Sequence, residues 1–525
     1  MNRNAVVSCL ALLTLGTERA AASSAVEFPD NGVAQLSRGG AWLATATDPI
    51  AGFYNPAALA TQTSSVGVGM NVALQEICFD RRGPGNAKIG PRPGFAAGGV
   101  TYEEVCADSS GRANLIPNVA GVLRLSPRFA IGLTLTPPAS YGTTKWPEVA
   151  PTPGRSEPIP SPGRYLSLAV RGTILWPTLA AAYSITDELH VGAGFVAGIA
   201  LLELESMSIS NVQESNPVDD HVQDTRSKVN ARDLFIPGAV ASVLFEATPN
   251  LDFAAWGRVS DSIRAKGDLE VIAPYFTATG VRRTQCDYPG QTVDEPGKPC
   301  ADTTLSKDQV GKDAAEVTVP VPVEIRIGAR FHQPRPAATG LEAERQRRDA
   351  FRTRDPLRDD LFDVELDLTY ARNSQADEIQ IRFPSGINVL GLSGTVPENA
   401  DRPTGYKDSF GARLGGQYNL RRSRLGLRAG TWIETPAVDD EYLTVTGVPA
   451  LRGGVALGTV MRVQRVDLEV GYMHAWNAGL DNGGNGKLHA IAGSGSPDNR
   501  SYHTVNGGSV SQHADVFSLG GVVRF

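Results

Sequence analysis

The stretch Ser65-Val-Gly-Val-Gly-Met-Asn-Val-Ala-Leu-Gln75 alternates between two kinds of side chain. Large apolar residues occupy every second position, and small or polar residues lie between them: Val66, Val68, Met70, Val72 and Leu74 against Gly67, Gly69, Asn71 and Ala73. Because successive side chains of a strand point to opposite faces, this pattern predicts a β-strand with one apolar face. A soluble β-sandwich also contains such strands, so one stretch does not distinguish it from a membrane barrel.

The same alternation continues along most of the chain. Residues 317–327 repeat it, and residues 362–370 place Asp363, Glu365 and Asp367 on one face of a strand. Very short connections, such as Ser126-Pro127-Arg128 and Thr186-Asp187-Glu188, alternate with long polar ones, which is the asymmetry of bacterial barrels with short periplasmic turns. The predicted strands are 64–75, 114–125, 128–140, 164–184, 188–209, 231–247, 250–272, 315–332, 361–383, 405–421, 424–434, 450–464, 465–476 and 513–525. The sequence therefore predicts an all-β protein, a transmembrane antiparallel β-barrel of about fourteen strands.

Composition excludes several other classes of protein. The 525 residues are 41% hydrophobic, and the mean hydropathy of −0.16 is too low for a bundle of membrane helices. The net charge of −7 is spread along the chain, without the basic and aromatic stripe of a nucleic-acid surface. No G-x-S-x-G elbow, P-loop or H-E-x-x-H motif occurs, so we predict no enzyme, no cofactor and no nucleic-acid partner. An outer-membrane lipase or protease is the enzymatic alternative.

The first 25 residues have the features of an export signal. Arg3 supplies a basic start, residues 5–16 are apolar, and small residues offer cleavage sites between Ala20 and Ala25. Loss of Cys9 would leave four cysteines in an oxidising compartment, Cys78, Cys106, Cys286 and Cys300. Three pairings are possible, and the most local one joins Cys78 to Cys106 and Cys286 to Cys300. A metal site is the less favoured alternative, because no C-x-x-C occurs.

Two further segments resemble parts of known outer-membrane proteins. The last strand ends on Phe525 after alternating Phe517, Leu519, Gly521 and Val523, which resembles the signature read by the outer-membrane barrel assembly machinery. The stretch NGVAQLSRGGAWLATATDPIAGFYNPAALA at residues 31–60 resembles the N-terminal hatch of the FadL/TodX family of transporters for hydrophobic compounds. The Gly-Gly-Ala after an arginine, the Asp-Pro and the Asn-Pro-Ala followed by Leu-Ala carry this resemblance.

The resemblance implies a domain plan and a function. Residues 1–25 would be the signal peptide, 26–63 a hatch plugging the lumen, and 64–525 the barrel, with a charged periplasmic insertion at 333–360 that we expect to be solvated. The chain would be an outer-membrane channel for passive uptake of hydrophobic molecules, with long-chain fatty acids as the expected ligand. Ligand capture, hatch movement and lateral release into the membrane lipid would be its steps. Uptake of aromatic hydrocarbons on the same scaffold, or a general porin or structural surface barrel, remain alternatives.

Candidate functional residues follow from the same comparison. Phe53, Tyr54, Asn55, Pro56 and Ala57 would form the gate of the hatch, because proline fixes φ and asparagine binds neighbouring backbone groups. An ordinary turn before the first strand is the alternative.

Two other sets of residues are candidates in the barrel itself. Pro137 and Pro138 would kink the third strand inward, or simply end it. Arg171, Arg258 and Arg326 are the candidates for binding a ligand carboxylate in the lumen, and no residue is assigned to a metal. Alternation also turns a set of charged residues on late strands inward, where they would form a charge network: Asp367, Arg413, Arg428, Arg462, Asp467 and Glu469.

Overall fold

The alternating segments form strands in a computed structural model of the chain. The structure describes residues 31–82, 102–107, 114–137, 143–150, 159–211, 221, 224–272, 275–276, 315–335, 353–384, 398–494 and 500–525. The strands within these residues, numbered in chain order, are β1 Ser65–Arg81, β2 Val105–Cys106, β3 Asn114–Arg124, β4 Phe129–Leu135, β5 Thr144–Lys145, β6 Val149–Ala150, β7 Ile159–Pro160, β8 Ala169–Leu175, β9 Thr178–Ser184, β10 Leu189–Asn211, β11 Asp224–Thr248, β12 Leu251–Ser260, β13 Ile263–Ile272, β14 Ala315–Val319, β15 Glu324–Pro334, β16 Asp360–Ala371, β17 Glu378–Arg382, β18 Arg402–Pro403, β19 Ser409–Arg421, β20 Leu425–Glu434, β21 Arg452–Val463, β22 Val466–Asn477, β23 Leu480–Asp481, β24 His489–Ser494, β25 Arg500–Thr504 and β26 Gly508–Arg524.

Fourteen of these strands close into one antiparallel barrel. The order around the barrel is β1, β3, β4, β9, β10, β11, β12, β15, β16, β19, β20, β21, β22 and β26. The last strand closes the circle by pairing with β1 along residues 65–81. Closure pairs the first strand with the last, so the sheet lacks the two free outer strands of an open sheet, which are the usual site of aggregation. The prediction of a fourteen-stranded antiparallel barrel is confirmed.

The two faces of the wall have opposite polarity. On β16, Leu366 and Leu368 are 46% and 47% exposed on the outside, whereas Asp367 between them is 1% exposed. The same alternation gives most other strands exposed Leu, Val and Phe side chains on the outer face. A soluble sandwich buries its apolar faces, so the exposed apolar face excludes that alternative and is typical of a barrel whose outside meets lipid.

Four predicted strands are interrupted, which the alternation did not reveal. Residues 176–177 separate β8 from β9, 261–262 separate β12 from β13, 320–323 separate β14 from β15, and 372–377 separate β16 from β17. Two of the breaks contain proline, which cannot donate to the ladder. Beyond the breaks the outer segments form their own ladders, β8 with β10, β11 with β13, β13 with β14, and β14 with β17.

Helical structure in the described residues is sparse. Its elements are α1 Val33–Leu36, α2 Ala51–Tyr54, α3 Pro356–Asp359 and short 3-10 helices at Pro56–Thr61, Asn373–Gln375 and Asp440–Tyr442. No helix in the described part of the chain is long and apolar enough to cross a membrane.

The described N-terminal segment, residues 31–63, lies inside the barrel. Every residue from Asn31 to Gln62 except Thr47 is buried. The wall is in van der Waals contact with it, because a Cβ added at Gly192 would overlap the backbone of Pro56 and Ala57. Glycine at this inward position therefore permits backbone of the segment to lie directly against β10.

Candidate functional site

Two carboxylates of β16 hold the N-terminal segment by its backbone. Asp367 Oδ2 accepts hydrogen bonds from the N–H groups of Trp42 and Leu43, at 2.9 and 3.0 Å. Glu365 accepts the next two, from residues 44 and 45, at 2.5 and 3.1 Å. These buried N–H groups have no strand partner. A carboxylate is the strongest hydrogen-bond acceptor that a side chain offers to such neutral donors. The acidic face predicted on this strand is therefore an anchor for residues 42–45.

A buried arginine completes the anchor. Arg38 lies 2.6 Å from Asp363 and 3.4 Å from Glu365, and all three side chains are at most 1% exposed. Its Nε donates to the carbonyl of Ala41 at 2.8 Å, which shapes the turn before the anchored residues. Removing one partner of such a buried pair leaves an uncompensated charge and costs about 3–5 kcal/mol.

The predicted gate residues lie at the centre of the N-terminal segment. The Asn55 side-chain amide donates to the carbonyl of Leu43, twelve residues earlier, at 2.7 Å. The N–H of Ala57 donates to Ser242 Oγ on β11 at 2.8 Å, and Pro56 between them starts the 3-10 helix. Asn55 thus ties the two halves of the segment together, and the next residues tie it to the wall.

Aromatic rings and two arginines surround the remaining gate residues. Trp256 Nε1 donates to the carbonyl of Phe53 at 2.8 Å, and the rings of Phe53 and Tyr54 pack edge to face with centroids 5.0 Å apart. The guanidinium of Arg258 lies 5.9 Å from the Phe53 ring centre, and that of Arg326 lies 5.7 Å from the Tyr54 ring centre. This arrangement permits cation–π attraction on both sides of the segment.

The three arginines proposed as carboxylate ligands are not equivalent. Arg258 and Arg326 are buried inside the barrel, where both approach Glu324, at 3.4 and 2.8 Å. Arg171 instead lies on the Thr173 face of β8, opposite the buried Ile174, and its side chain is 40% exposed. The expectation that Arg171 faces the lumen is therefore wrong, because the alternation places it on the outer wall beside Glu203.

Among the described residues, the wall is interrupted beyond the end of β4. This strand ends at Leu135, so it pairs with β3 only along residues 119–124 and with β9 along 178–183. No strand among the described residues pairs with residues 114–118 on the side away from β1. Asn31, the first described residue, donates its side-chain amide to the carbonyl of Pro137 beside this break. Pro137 follows the end of the strand, and Pro138 lies outside the described residues.

The end of the predicted insertion also belongs to the site. We call residues 353–359, which follow the undescribed residues 336–352 and include α3, the strap. Arg354 donates its backbone N–H to the carbonyl of Thr61 at 2.8 Å and its guanidinium to the carbonyl of Ala44 at 3.0 Å. The same guanidinium forms a salt bridge with Asp252 at the start of β12.

Other strap residues bind the opposite wall. Asp355 lies 2.5 Å from Arg462 on β21, and the carbonyl of Pro356 accepts from Asn419 on β19 at 2.7 Å. Leu357 is 3% exposed. The strap therefore crosses the barrel mouth beneath the N-terminal segment, and this part of the insertion is packed where the sequence predicted a solvated loop.

A cation lies at the other end of the apolar interior. The buried apolar cluster that includes Phe53 and Trp256 continues outward to Ile381 and Ala400. Arg402 follows Ala400 closely and donates to the carbonyl of Leu166 at 2.5 Å and to Ser206 Oγ at 2.8 Å. Burial, helped by the nearby Arg500, lowers the pKa of Arg402 to about 10, so the group remains charged at physiological pH.

The inward charges of the late strands pair with one another. Arg413 lies 2.8 Å from Glu434, Arg428 lies 2.8 Å from Glu469, and Arg462 lies 2.5 Å from Asp467. Pairing of this kind offsets the cost of removing the charges from water.

The cysteines within the described residues lie at one end of the barrel. Cys78 and Cys106 form a disulfide between β1 and β2, whereas Cys286 and Cys300 lie outside the described residues. Glu76 and these two cysteines bring potential metal ligands together, but sulfur in a disulfide is not the thiolate that binds metals.

Sequence reasoning missed several residues that shape the site. Arg38 was part of the motif that carries the family resemblance but was given no role, and Arg354 lay inside a charge run. Arg402 follows an acid in a loop with no motif. Only the three alternating carboxylates of β16 gave a signal, namely charge on one face of an otherwise apolar strand.

The fold and its buried N-terminal segment define a class of barrel, and solved structures share it. A Pseudomonas aeruginosa FadL homologue aligns over 96% of this chain and 100% of its own, with a TM-score of 0.65 and 15% sequence identity. The P. putida toluene transporter TodX aligns over 97% and 99%, with a TM-score of 0.56 and 12% identity. The Ralstonia pickettii toluene transporter TbuX aligns over 95% and 99%, with a TM-score of 0.53 and 14% identity.

These likenesses establish a common fold along nearly the whole chain. No family model matches the sequence, and a comparison with curated protein sequences finds no match. The chain therefore has the FadL-like barrel fold.

Proposed function

We propose that this chain is an outer-membrane channel for the passive uptake of hydrophobic molecules, with long-chain fatty acids as its substrate class. Extracellular loops capture the ligand, the N-terminal segment acts as a hatch that plugs the lumen, and the ligand leaves sideways into membrane lipid. Residues 1–25 act as the export signal, and the barrel assembly machinery reads the last strand ending at Phe525. The proposal includes no enzymatic step.

The break in the wall beside the buried N-terminal segment is the observation that carries the proposal. A continuous barrel would confine a solute to an axial route, and that route is filled by residues 31–62 and crossed by the strap. The break above Leu135 lies where Asn31 binds Pro137, so movement of the segment and opening of the side wall are linked through one hydrogen bond. A lateral route suits solutes that are more stable in lipid than in water.

Arg402 favours a fatty acid over an uncharged hydrocarbon. A fatty acid needs an apolar space for its chain and a cation for its carboxylate, and Arg402 lies at the outer end of the buried apolar cluster. Arg258 and Arg326 at the inner end already approach Glu324, so a second carboxylate there would meet a like charge.

Aromatic hydrocarbons are the second candidate substrates. Phe53, Tyr54 and Trp256 form an aromatic cluster at the gate, and two of the similar structures are named toluene transporters. A general porin is less consistent with a lumen filled by buried chain, since a porin needs a continuous aqueous path.

Uptake by a deletion strain carrying this chain tests the proposal. Labelled long-chain fatty acid and labelled toluene are compared in cells with the wild-type chain, with Arg402→Ala and with no barrel. We expect the wild type to raise fatty acid uptake, and Arg402→Ala to reduce it while leaving toluene uptake unchanged. Uptake of both compounds at the rate of the empty strain would overturn the proposal, and toluene uptake alone would favour the second candidate.

A further inference from the structure

A groove of about 500 Å³ lies on the outer wall of the barrel, across β8, β10, β11 and β13. Its apolar floor includes Leu201, which is 48% exposed, whereas the neighbouring Leu202 is 9% exposed and faces inward. Leu201 therefore belongs to the face that looks away from the lumen, and the groove is separate from the site described above. Its charged lining consists of Arg171, Glu203, Arg232, Lys266 and Asp268.

The groove lies at the upper boundary of the apolar belt. Phe195 on β10 and both Leu234 and Phe235 on β11 lie nearer the rim with the short turns, and they are 53%, 61% and 60% exposed. Farther from that rim, the outward positions of the same strands carry Glu203, Lys228 and other charged groups. In a membrane barrel such a boundary marks the passage from acyl chains to lipid headgroups.

Two cations of the groove face each other directly. Arg232 on β11 and Lys266 on β13 are register partners, and both are exposed. Like charges directly opposite in a strand pair are destabilising. Glu316 lies 3.6 Å from Lys266, but both side chains are exposed, at 44% and 64%, so solvent screens this pair.

The other charges of the groove are largely matched. Glu203 lies 3.1 Å from both Arg171 and Lys228 and is neutralised by them. Asp268 lies two residues beyond Lys266, the register partner of Arg232, so it is the diagonal neighbour of Arg232. It lines the same groove. Three cations against two carboxylates leave the lining with an excess positive charge, centred on the opposed pair.

We propose that this groove binds the phosphate-bearing headgroup of an outer-leaflet lipid, with the phosphate between Arg232 and Lys266 and the start of an acyl chain on Leu201. A phosphate accepts charge-assisted hydrogen bonds from both cations and removes their repulsion. The acyl chain continues onto the apolar belt below, which a free phosphate ion does not use. This lipid site is independent of the transported solute.

Binding by the purified full-length protein in an uncharged detergent tests this site. Native mass spectrometry measures the binding of phosphatidic acid, of diacylglycerol with the same chains, and of inorganic phosphate. The test variant is R232Q/K266Q. The control is K407Q/K487Q, which removes two exposed loop cations that pair with Asp439 and Glu441.

The wild type and the control should bind phosphatidic acid more tightly than diacylglycerol, which lacks the phosphate. The test variant should bind phosphatidic acid at least about tenfold more weakly, since it loses two hydrogen bonds to a charged group. An unchanged barrel circular dichroism spectrum and heat-shifted gel mobility would show that the variant is folded. Equal affinity of both variants, or of both lipids for the wild type, would overturn the site, and inorganic phosphate binding as tightly as the lipid would reject a lipid occupant.

Discussion

At the scale of single residues, Glu365 decides how firmly the N-terminal segment is held. One carboxylate accepts two backbone N–H groups and the Thr45 hydroxyl, and it also approaches Arg38. On either side of it, Asp363 pairs with Arg38 and Asp367 accepts a backbone N–H of the segment. This acidic face therefore supplies the hydrogen-bond acceptors that a neighbouring strand would otherwise provide. Charge-assisted hydrogen bonds therefore hold the backbone of the segment in addition to its apolar packing.

Glu365→Gln should loosen the segment without unfolding the barrel. The amide keeps one acceptor oxygen but loses the charge, and a hydrogen bond to a charged group contributes about 1.5–3 kcal/mol. We expect the open fraction of single channels in planar bilayers to rise about tenfold or more. Glu441→Gln, which removes an exposed loop carboxylate, is the control. Conductance equal to the wild type in both variants would contradict the anchoring role.

Asn55 and Pro56 affect movement within the segment. Asn55→Ala removes the hydrogen bond to Leu43, and Pro56→Ala frees φ and adds a donor at the start of the 3-10 helix. The segment gains states that compete with its present arrangement, and the strand ladder does not pass through these residues. Uptake of labelled fatty acid at matched surface abundance should fall while thermal stability changes little. Normal uptake by both variants would leave these residues as an ordinary turn.

At the scale of elements, the strap connects the N-terminal segment to the barrel wall, although these parts are far apart in the sequence. The strap comes after β15 and the undescribed residues 336–352 in the chain. It nevertheless binds the N-terminal segment at Ala44 and Thr61 and the wall at Asp252. Charge runs are usually solvated, so composition alone predicted the opposite of this packing. The physical reason is that Arg354 donates to the carbonyls of Ala44 and Thr61, and Asp252 balances its charge.

Arg354→Ala should release the N-terminal segment from below. It removes the guanidinium hydrogen bond to the carbonyl of Ala44 and one partner of a buried salt bridge, whereas the backbone bond to Thr61 remains. The cost should be about 3 kcal/mol, the lower end for such pairs, because Arg330 still neutralises Asp252. We expect faster protease cleavage within residues 31–63 of detergent-solubilised protein. Arg358→Ala is the control, because Arg358 pairs with Asp359 inside the strap itself. Cleavage at the same rate in all three proteins would show that the strap does not hold the segment.

The elements also show how far the sequence alone reaches. Alternation located all fourteen barrel strands, because each strand has one buried face and one face toward lipid. The polarity of its side chains therefore changes at every residue. Alternation missed the breaks at 261–262 and 372–377, where no proline lies and only the pairing of the outer segments departs from the barrel. Strict alternation along β8 also places Arg171 on the outer face with Thr173, so its choice as a lumen candidate did not follow from the pattern.

At the scale of the whole molecule, an even number of strands returns the chain to the rim from which it starts. The N–H of Phe525 donates to the carbonyl of Ser64 at 2.9 Å, so the first and last barrel strands meet there. The short turns at 125–128, 185–188 and 422–424 and the strap lie at the same rim. Short turns are periplasmic in bacterial barrels, so we assign this rim to the periplasm.

This parity predicts opposite accessibility for two undescribed segments. Residues 286–300 follow β13, whose preceding strand β12 starts at the periplasmic rim, so a tag inserted there should be outside the cell. Residues 340–350 follow β15, which runs back to that rim, so a tag there should face the periplasm. Antibody labelling of intact cells should detect the first tag alone, and permeabilised cells should show both. Because β14 and β15 together cross the wall only once, labelling of the second tag on intact cells would require an even number of crossings between the two sites and would overturn the orientation.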